Sequence, residues 1–592
     1  MNLSTFYTDR KGRFETIKEE LSTRIFWLGW TRLLLFVLFA ACTYFFFKSG
    51  FQYGWLISGL AFFVGFLALV KYNEKLLDRL AVTRHLLRIN ENERQVLENQ
   101  PSDLYDGKRF YSEESYLLDL DIFGPRSVFH LLNRAATNLG ETRLAELLKK
   151  PLKDIDVIDN QQLAVQELAS KVDFRQQFLA QALRTDGAST DYRRLLAWVE
   201  SPSEFYYSTY IRVVRILMPA LMLIALIYGI FTFQFSYFTF LFFLNFFVAG
   251  RYGTKINKIH GAVSKNVESL GVFAALFRLV NQEQFTTPVL QQLHTETQEA
   301  NHELQRLTNL ANLFDNRLNM VAYTVLTGLA VYDLQCVYWL EQWKIENKER
   351  LRRWLEAVGT LEMLHSLATF AFNHPDYVFP TVNPGTPFIE AQALAHPLIP
   401  AQECVKNDFT IGKKKDLYIV TGSNMSGKST FLRTVGVNVL LARCGAPVCA
   451  TYFACTPMEI HSSLRQSDSL QDHVSTFYAE LRRLKEILDH LEKDPQALVL
   501  LDEVLRGTNS DDKLYGSQQL VRRFLQIDCV GLLATHDIEL AKMEREFPEK
   551  LGNLCFESII ENNNLYFDYT LKTGTAQNRN ATFLMQQMGI IR

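Results

Sequence analysis

The chain has 592 residues, too many for one hydrophobic core, and at roughly 100 to 200 residues per unit it implies about three or four folding units. Its 62 Lys and Arg nearly balance 64 Asp and Glu, so a net charge of -2 carries no global signal for nucleic acid or an acidic surface and leaves any DNA contact to a local patch. The eight cysteines form no C-x-x-C pair and mostly lie in apolar runs, which fits reduced, buried thiols and speaks against a disulfide or zinc framework.

Residues 1–24 are largely polar and read as a cytoplasmic segment; with no small-residue cleavage pattern in the run that follows, no cleaved signal peptide is expected. Two apolar runs come next, "LLLFVLFAACTYFFF" (33–47) and "YGWLISGLAFFVGFLALV" (53–70), separated by "KSGFQ". Each approaches the ~20 residues of a bilayer-spanning helix, the first by including Trp27 to Arg32, and together they predict a transmembrane hairpin over 25–72. Residues 73–210 carry Leu, Glu, Arg and Gln at three- and four-residue spacings and predict helices. A second hairpin is predicted over 211–251, from "ILMPALMLIALIYGIFTF" (216–233) and "FSYFTFLFFLNFFVA" (235–249), with Gln234 as the polar break. The competing reading is four buried helices of a large soluble core.

The flanks favour a membrane. Arg10, Lys11, Arg13, Lys18 and Arg24 precede the first run, Lys71, Lys75, Arg79 and Arg84 follow the second, Arg212 and Arg215 precede the third, and Arg251, Lys255 and Lys258 follow the fourth. The two outer turns carry one Lys between them, so the positive-inside rule expects a multi-pass protein of the inner (cytoplasmic) membrane with both termini and the soluble mass in the cytoplasm. Residues 252–372 again predict amphipathic helices. Within them "MVAYTVLTGLAVYDL" (320–334) is apolar enough to resemble a span, but it is short and ends at Asp333, and is expected to be a packed core helix.

From residue 373 to 592 short apolar runs alternate with helical segments. "DLYIV" (416–420), "ALVLL" (497–501) and "CVGLLA" (529–534) predict a mainly parallel sheet, and the tail from "CFESII" to "LYFDYTL" an antiparallel addition. Gly422, Gly427, Lys428 and Ser429 in "IVTGSNMSGKSTFLRT" fit G-x-x-x-x-G-K-[ST] between a strand and a helix. Such a loop, Gly422, Ser423, Asn424, Met425, Ser426, Gly427, Lys428, Ser429 and Thr430, wraps phosphates with backbone amides; Lys428 reaches the β- and γ-phosphates and Ser429 ligates Mg²⁺. "ALVLLDEV" ends a strand with Asp502, suited to the metal, and Glu503, suited to polarise water; "LLATHD" ends another with His536, suited to sense the γ-phosphate. The expected ligands are therefore ATP and Mg²⁺.

"TGSNMSGKST", "DHVSTFYAEL", "LLDEVLRGTNSDD" and "LLATHDIEL" resemble the ATPase domain of the MutS mismatch-repair family, a branch of the ABC-type ATPases. "LLNRAATNLGETRLAELLKKPLKDIDVIDNQQLAVQEL" resembles the family's core and lever region, "LEMLHSLATFA" its closing helix and "AHPLI" the lead-in to the ATPase domain. The fold class implied is multidomain α and α/β, a mostly helical lever and core region with two transmembrane hairpins and a C-terminal P-loop ABC-type ATPase domain. The resemblance also implies a homodimer with two composite ATP sites, in which Ser475, with Thr476 and Glu480, faces the partner's γ-phosphate and Asn509, Ser510 and Asp511 couple the sites.

Departures from the family pattern are Ser423 and Ser426 for a usual Pro and Gly, Leu505 for a usual Gly, and Cys404 for the aromatic that stacks on adenine. No mismatch-reading domain is expected: "RFET" at Phe14 and Glu15 is similar to the F-x-E wedge, but nothing domain-sized surrounds it. The expected function is a membrane-anchored, Mg²⁺-dependent ATPase whose dimer closure moves levers that act on DNA or on a membrane partner. The alternative is an ABC-type ATPase driving transport or membrane remodelling without DNA. Lys255, Lys258 and Lys265 form only a modest basic cluster for DNA.

Overall fold

Both N-terminal apolar runs belong to helices much longer than a bilayer is thick. The computed structural model describes residues 2–112, 115–184, 192–263, 267–465, 476–561, 564–577 and 590–591. Helix α1 (Leu3–Lys48) is capped by Asn2, whose side chain accepts from the Ser4 and Thr5 amides, and nothing breaks it before Gly50 at φ +70°. The polar residues 3–24 thus form the first half of α1. At 46 residues it is about 70 Å long, more than twice the ~30 Å of a hydrocarbon core.

Helix α2 (Tyr53–Leu97) returns antiparallel, pairing Phe45 with Trp55, Phe39 with Phe63, Phe36 with Phe66 and, at the base, Lys11 with Glu91. From the middle of α1 to the far end of the hairpin, Phe26, Trp27, Leu34, Phe47 and Ile57 are exposed. At the near end a buried network fixes the hairpin to the body: Tyr7 Oη donates to Asn373 Oδ1 (2.6 Å), and Asn373 Nδ2 donates to Glu93, which pairs with Arg134.

The body follows the amphipathic spacing of its sequence. Short helices α3 (Ser115–Asp119) and α4 (Val128–Leu132) lead to α5 (Asn138–Lys149), α6 (Ile155–Ser170), α7 (Val172–Ala182), α8 (Tyr192–Glu200) and α9 (Glu204–Tyr207). After α10 (Thr209–Thr232) and α11 (Ser236–Gly250) come α12 (Gly253–Val263), α13 (Val267–Gln282), α14 (Pro288–Thr297), α15 (Ala300–Asp315), α16 (Met320–Ala330) and the 42-residue α17 (Tyr332–Asn373). Helix α17 is the spine, with Trp343, Trp354, Leu361 and Leu364 buried against its neighbours.

Two expectations about the apolar helices are corrected. Among the described residues three helices, α1, α2 and α10, are long and apolar enough to cross a membrane, and the expected fourth, 235–249, is a helix of 15 residues, about 22 Å. The segment 320–334 is not one packed core helix. Val331, at φ +49°, breaks it into α16 and the start of α17, bent by 83°, and Met320, Val321 and Val325 are exposed because α16 lies on α11 outside the core.

Beyond α17 the chain forms two sheets. The larger has the order β10-β9-β4-β8-β7-β6, from β4 (Leu417–Gly422), β6 (Glu459–Ser463), β7 (Ala497–Asp502), β8 (Val530–Thr535), β9 (Leu551–Glu561) and β10 (Asn564–Thr573). Strands β9, β4, β8, β7 and β6 run parallel and β10 alone is antiparallel, so only half of the tail departs from the parallel pattern. Helices α18 (Lys428–Arg443), α19 (Thr476–Leu491), α20 (Ser510–Leu525) and α21 (Ile538–Ala541) pack around it. The second sheet, not anticipated, has the order β1-β5-β2-β3 from β1 (Thr381–Val382), β2 (Ile389–Leu394), β3 (Asn407–Ile411) and β5 (Tyr452–Cys455). Arg443 at the end of α18 ties this unit to the body by donating to the Pro151 and Leu152 carbonyls.

Candidate nucleotide site

The carboxyl ends of β4, β7 and β8 meet at one edge of the larger sheet, and the register aligns Thr421 with Thr535 and Asp502 with Ala534. This is where open α/β sheets place ligands, because the loops leaving the strand tips diverge there. The first loop, 422–427, turns on two glycines. Gly427, at φ +105°, caps α18, and a Cβ on Gly422 would meet Ser426 Oγ at 2.6 Å and the Phe556 carbonyl at 2.8 Å. The N-terminus of α18 thus points its free amides at the loop's concave side.

Lys428 is buried and its Nζ donates to the Gly422 and Ser423 carbonyls at 2.8 and 2.9 Å. Burial pulls its ammonium below the usual lysine range, against the opposing pull of Glu503 and Asp502. The Ser429 hydroxyl donates to Asp502 Oδ2. Asp502 Oδ1 is buried and has no hydrogen-bond partner among the described residues, and burial raises the carboxyl despite the Ser429 bond. A hydroxyl, a carboxylate oxygen and this unsatisfied second oxygen suit a hard cation that keeps most of its shell for water and phosphate. No cluster of three or more His, Cys, Asp or Glu that could hold a metal occurs among the described residues.

Glu503 stands at φ +50° with its amide on the Ala534 carbonyl (2.9 Å). Its carboxylate is held from both sides: Oε1 lies 2.8 Å from His536 Nδ1 and Oε2 2.6 Å from Arg506. Lys428, Ser429, Asp502, Glu503 and His536 are thus brought together, with His536 placed on Glu503. Arg506 was not anticipated; its signal was its position three residues after the acid. Asn424, Met425, Ser426 and Thr430 line the same cavity, of about 450 Å³. Ser475 lies outside the described residues. Nearby, Thr476 opens α19, and Glu480 accepts the Leu505 amide. Asn509 caps α20 by accepting the Asp512 amide, and Ser510 and Asp511 are exposed in its first turn.

The cavity's far wall includes Cys404, as aligned, and an aromatic the sequence reading missed. Tyr569 lies where β10 bulges between Phe567 and Leu571, and its ring comes within 3.1 Å of where a Cβ on Gly427 would be. Asn407 of β3 holds the bulge, donating to the Tyr569 carbonyl (3.0 Å) and accepting the Leu571 amide (2.7 Å). An aromatic in a strand of alternating pattern carries no local sign that a bulge turns it toward a phosphate loop.

Comparison with known proteins matches both parts of the chain. Residues 418–587 match the model for MutS domain V and residues 83–368 that for MutS domain III. The chain is 30% identical over 302 residues to the DNA mismatch repair proteins MutS of Thermotoga petrophila and Thermotoga neapolitana. The MutS of Thermotoga maritima matches to the same extent. These matches cover 50% of this chain and 34% of each relative, so the chain spans about a third of the length of the curated relatives it matches.

Proposed function

We propose that this chain, which belongs to the MutS family, is a membrane-anchored ATPase that hydrolyses ATP at composite sites of a homodimer and converts closure of those sites into movement of its helical body. The observation that carries the reading is the strand-tip constellation: Ser429 on one oxygen of Asp502, the other oxygen unpartnered among the described residues, and Glu503 beside it between Arg506 and His536.

In this reading the loop amides and the α18 N-terminus bind the phosphate chain, and Lys428 exchanges its two carbonyl partners for phosphate oxygens. Ser429 and Asp502 would hold Mg²⁺, which when bound neutralises charge on the β- and γ-phosphates. Glu503, oriented by its two neighbours, accepts the proton of the water that attacks the γ-phosphate in line. Ser475 of the partner subunit completes the site. Tyr569 supplies the flat surface for the base that Cys404 lacks.

The exposed apolar helices α1 and α2, the pairing of α10 with the shorter apolar α11 as its return crossing, and the basic residues at their ends support placement in the inner membrane, with termini and ATPase in the cytoplasm. Transport is disfavoured because Asn245, the polar side chain inside α11, already donates to the Gly328 carbonyl (2.6 Å) and does not line a path.

The test is Glu503→Gln in detergent-solubilised protein: ATP is still bound, and turnover falls on the order of 100-fold or more, the scale of a general base. Wild-type turnover in that variant refutes the assignment. What the body acts on is read from binding to duplex, branched and mismatched DNA across a salt series. Phosphate contacts give a log affinity that falls linearly with log salt, whereas absence of binding at low salt counts against DNA and leaves the non-DNA variant of the reading.

A further inference from the structure

The segment that breaks at Val331 has features of a membrane-inserted element of a different kind from α1, α2 and α10. Its two ends are at the same place. Tyr332 Oη donates to the Leu313 carbonyl (2.7 Å) and takes a bond from Asn316 Nδ2 (3.3 Å), so residues 316–331 leave the body and return to it as a loop. The outgoing arm is one short turn, Asn316–Leu318; the returning arm is α16, 11 residues and about 16 Å long, near half of a ~30 Å hydrocarbon core.

Polarity is graded along it. The neck is charged and bonded: Arg317 pairs with Asp333 (3.3 Å) and donates to Asn257 (2.8 Å), and His260 meets Asp315 (2.9 Å). The tip is apolar and bare, with Leu318, Met320 and Val321 exposed by 74%, 84% and 73%. Val325 and Leu329 carry the apolar stripe back along α16, and on α11, which packs against it through Phe242 and Phe246, Phe243 and Phe247 are exposed as well.

The backbone ends of the loop are tied down, as hydrocarbon requires, while Thr327 Oγ1 and Asn245 Oδ1 are buried with no hydrogen-bond partner among the described residues. Asn319 accepts the Val321 and Ala322 amides at the helix start, Thr324 Oγ1 donates to the Met320 carbonyl, and the Val331 amide returns to Thr327. The helix stops before a donor can reach Gly328, and Asn245 of α11 supplies that bond from a fully buried position, beside the Phe242 ring that packs on Gly328.

We propose that residues 316–331 form a re-entrant loop whose tip, Leu318 to Val321, sits among lipid acyl chains, with the Arg317–Asp333 neck at the headgroup level and α17 leaving directly from it. The proposal rests on the membrane reading above, and adds that the spine helix of the body is itself seated on the bilayer.

The experiment places the photo-crosslinker p-benzoylphenylalanine at Val321, at Leu223 on the exposed face of α10, and at Lys348 on the exposed face of α17, in full-length protein reconstituted into vesicles of phosphatidylethanolamine and phosphatidylglycerol. The expected result is phospholipid adducts by mass spectrometry at 321 and 223 and background at 348. Adducts at 223 without any at 321 overturn the loop and leave the membrane anchor standing. A crosslink from 321 to a second copy of the chain, in place of lipid, overturns it in favour of a protein contact. Absence of lipid adducts at both 321 and 223 overturns the anchor and the loop together.

Discussion

Glu503 and Leu505 are both left-handed, at φ +50° and +61°, one residue apart at the tip of β7. For residues with a Cβ this costs roughly 1–2 kcal/mol each. Surroundings hold them there: the Glu503 amide is bonded to Ala534, Glu480 takes the Leu505 amide, and the Leu505 side chain is 7% exposed against Gly516. The family's usual Gly at position 505 is thereby explained as a residue for a left-handed turn. Leu505→Gly would relieve about 1–2 kcal/mol of strain but give up about 2–5 kcal/mol of burial, so the net is destabilising. The urea concentration at which nucleotide binding is lost is expected to fall in that variant; a rise would show that strain outweighs packing there.

At the scale of elements, α5 and α17 cross at a close joint. Gly140 faces Glu362, and Gly359 lies against the Leu139 carbonyl. Glu362 accepts the Ala136 amide (3.0 Å), the Thr137 amide (3.2 Å) and the Thr137 hydroxyl, capping the start of α5 from across the joint. Burial pushes its carboxyl up to about 7 against those bonds. The folded chain therefore keeps a proton between about pH 4.5 and 7 that the unfolded chain has released, and stability falls as pH rises through that window. Glu362→Gln lacks this titration. Its stability relative to wild type is expected to rise across the window, by at most about 1.4 kcal/mol per pH unit. Urea midpoints read from the buried Trp343 and Trp354 of the same helix check this; a constant difference from pH 5 to 7.5 would rule it out.

Across the whole molecule, the strand tips are wired to the body at a second place. Asp119 at the end of α3 is fully buried and accepts from Ser462 Oγ, the Leu464 and Arg465 amides and Arg483, while Asp121 pairs with Arg465 and with Arg433 of α18. One short stretch of the body thus holds both the helix behind the phosphate loop and the strand end that leads toward residue 475, so closure over a nucleotide would be felt in the helices. The exposed Asn509, Ser510 and Asp511 present the face such closure would use. Light scattering of Glu503→Gln is expected to give a dimer with ATP and a smaller species without it; a mass unchanged by ATP would count against composite sites.

Sequence alone determined what is locally encoded. The phosphate loop is a contiguous string whose glycines and lysine have one chemical use, the strand cores are short apolar runs with acids at their tips, and the apolar content of α1, α2 and α10 is a property of composition. Tertiary structure decided what depends on partners distant in the chain. Asn407 lies 162 residues from Tyr569 and turns it into the cavity, and Arg506 and His536 orient Glu503. Residues 320–334 read as core by composition and length, yet the break at Val331 and the bond from Asn245 placed α16 outside it. Composition sets which surfaces avoid water, whereas the choice between a protein core and a bilayer is made by which other elements arrive to cover them.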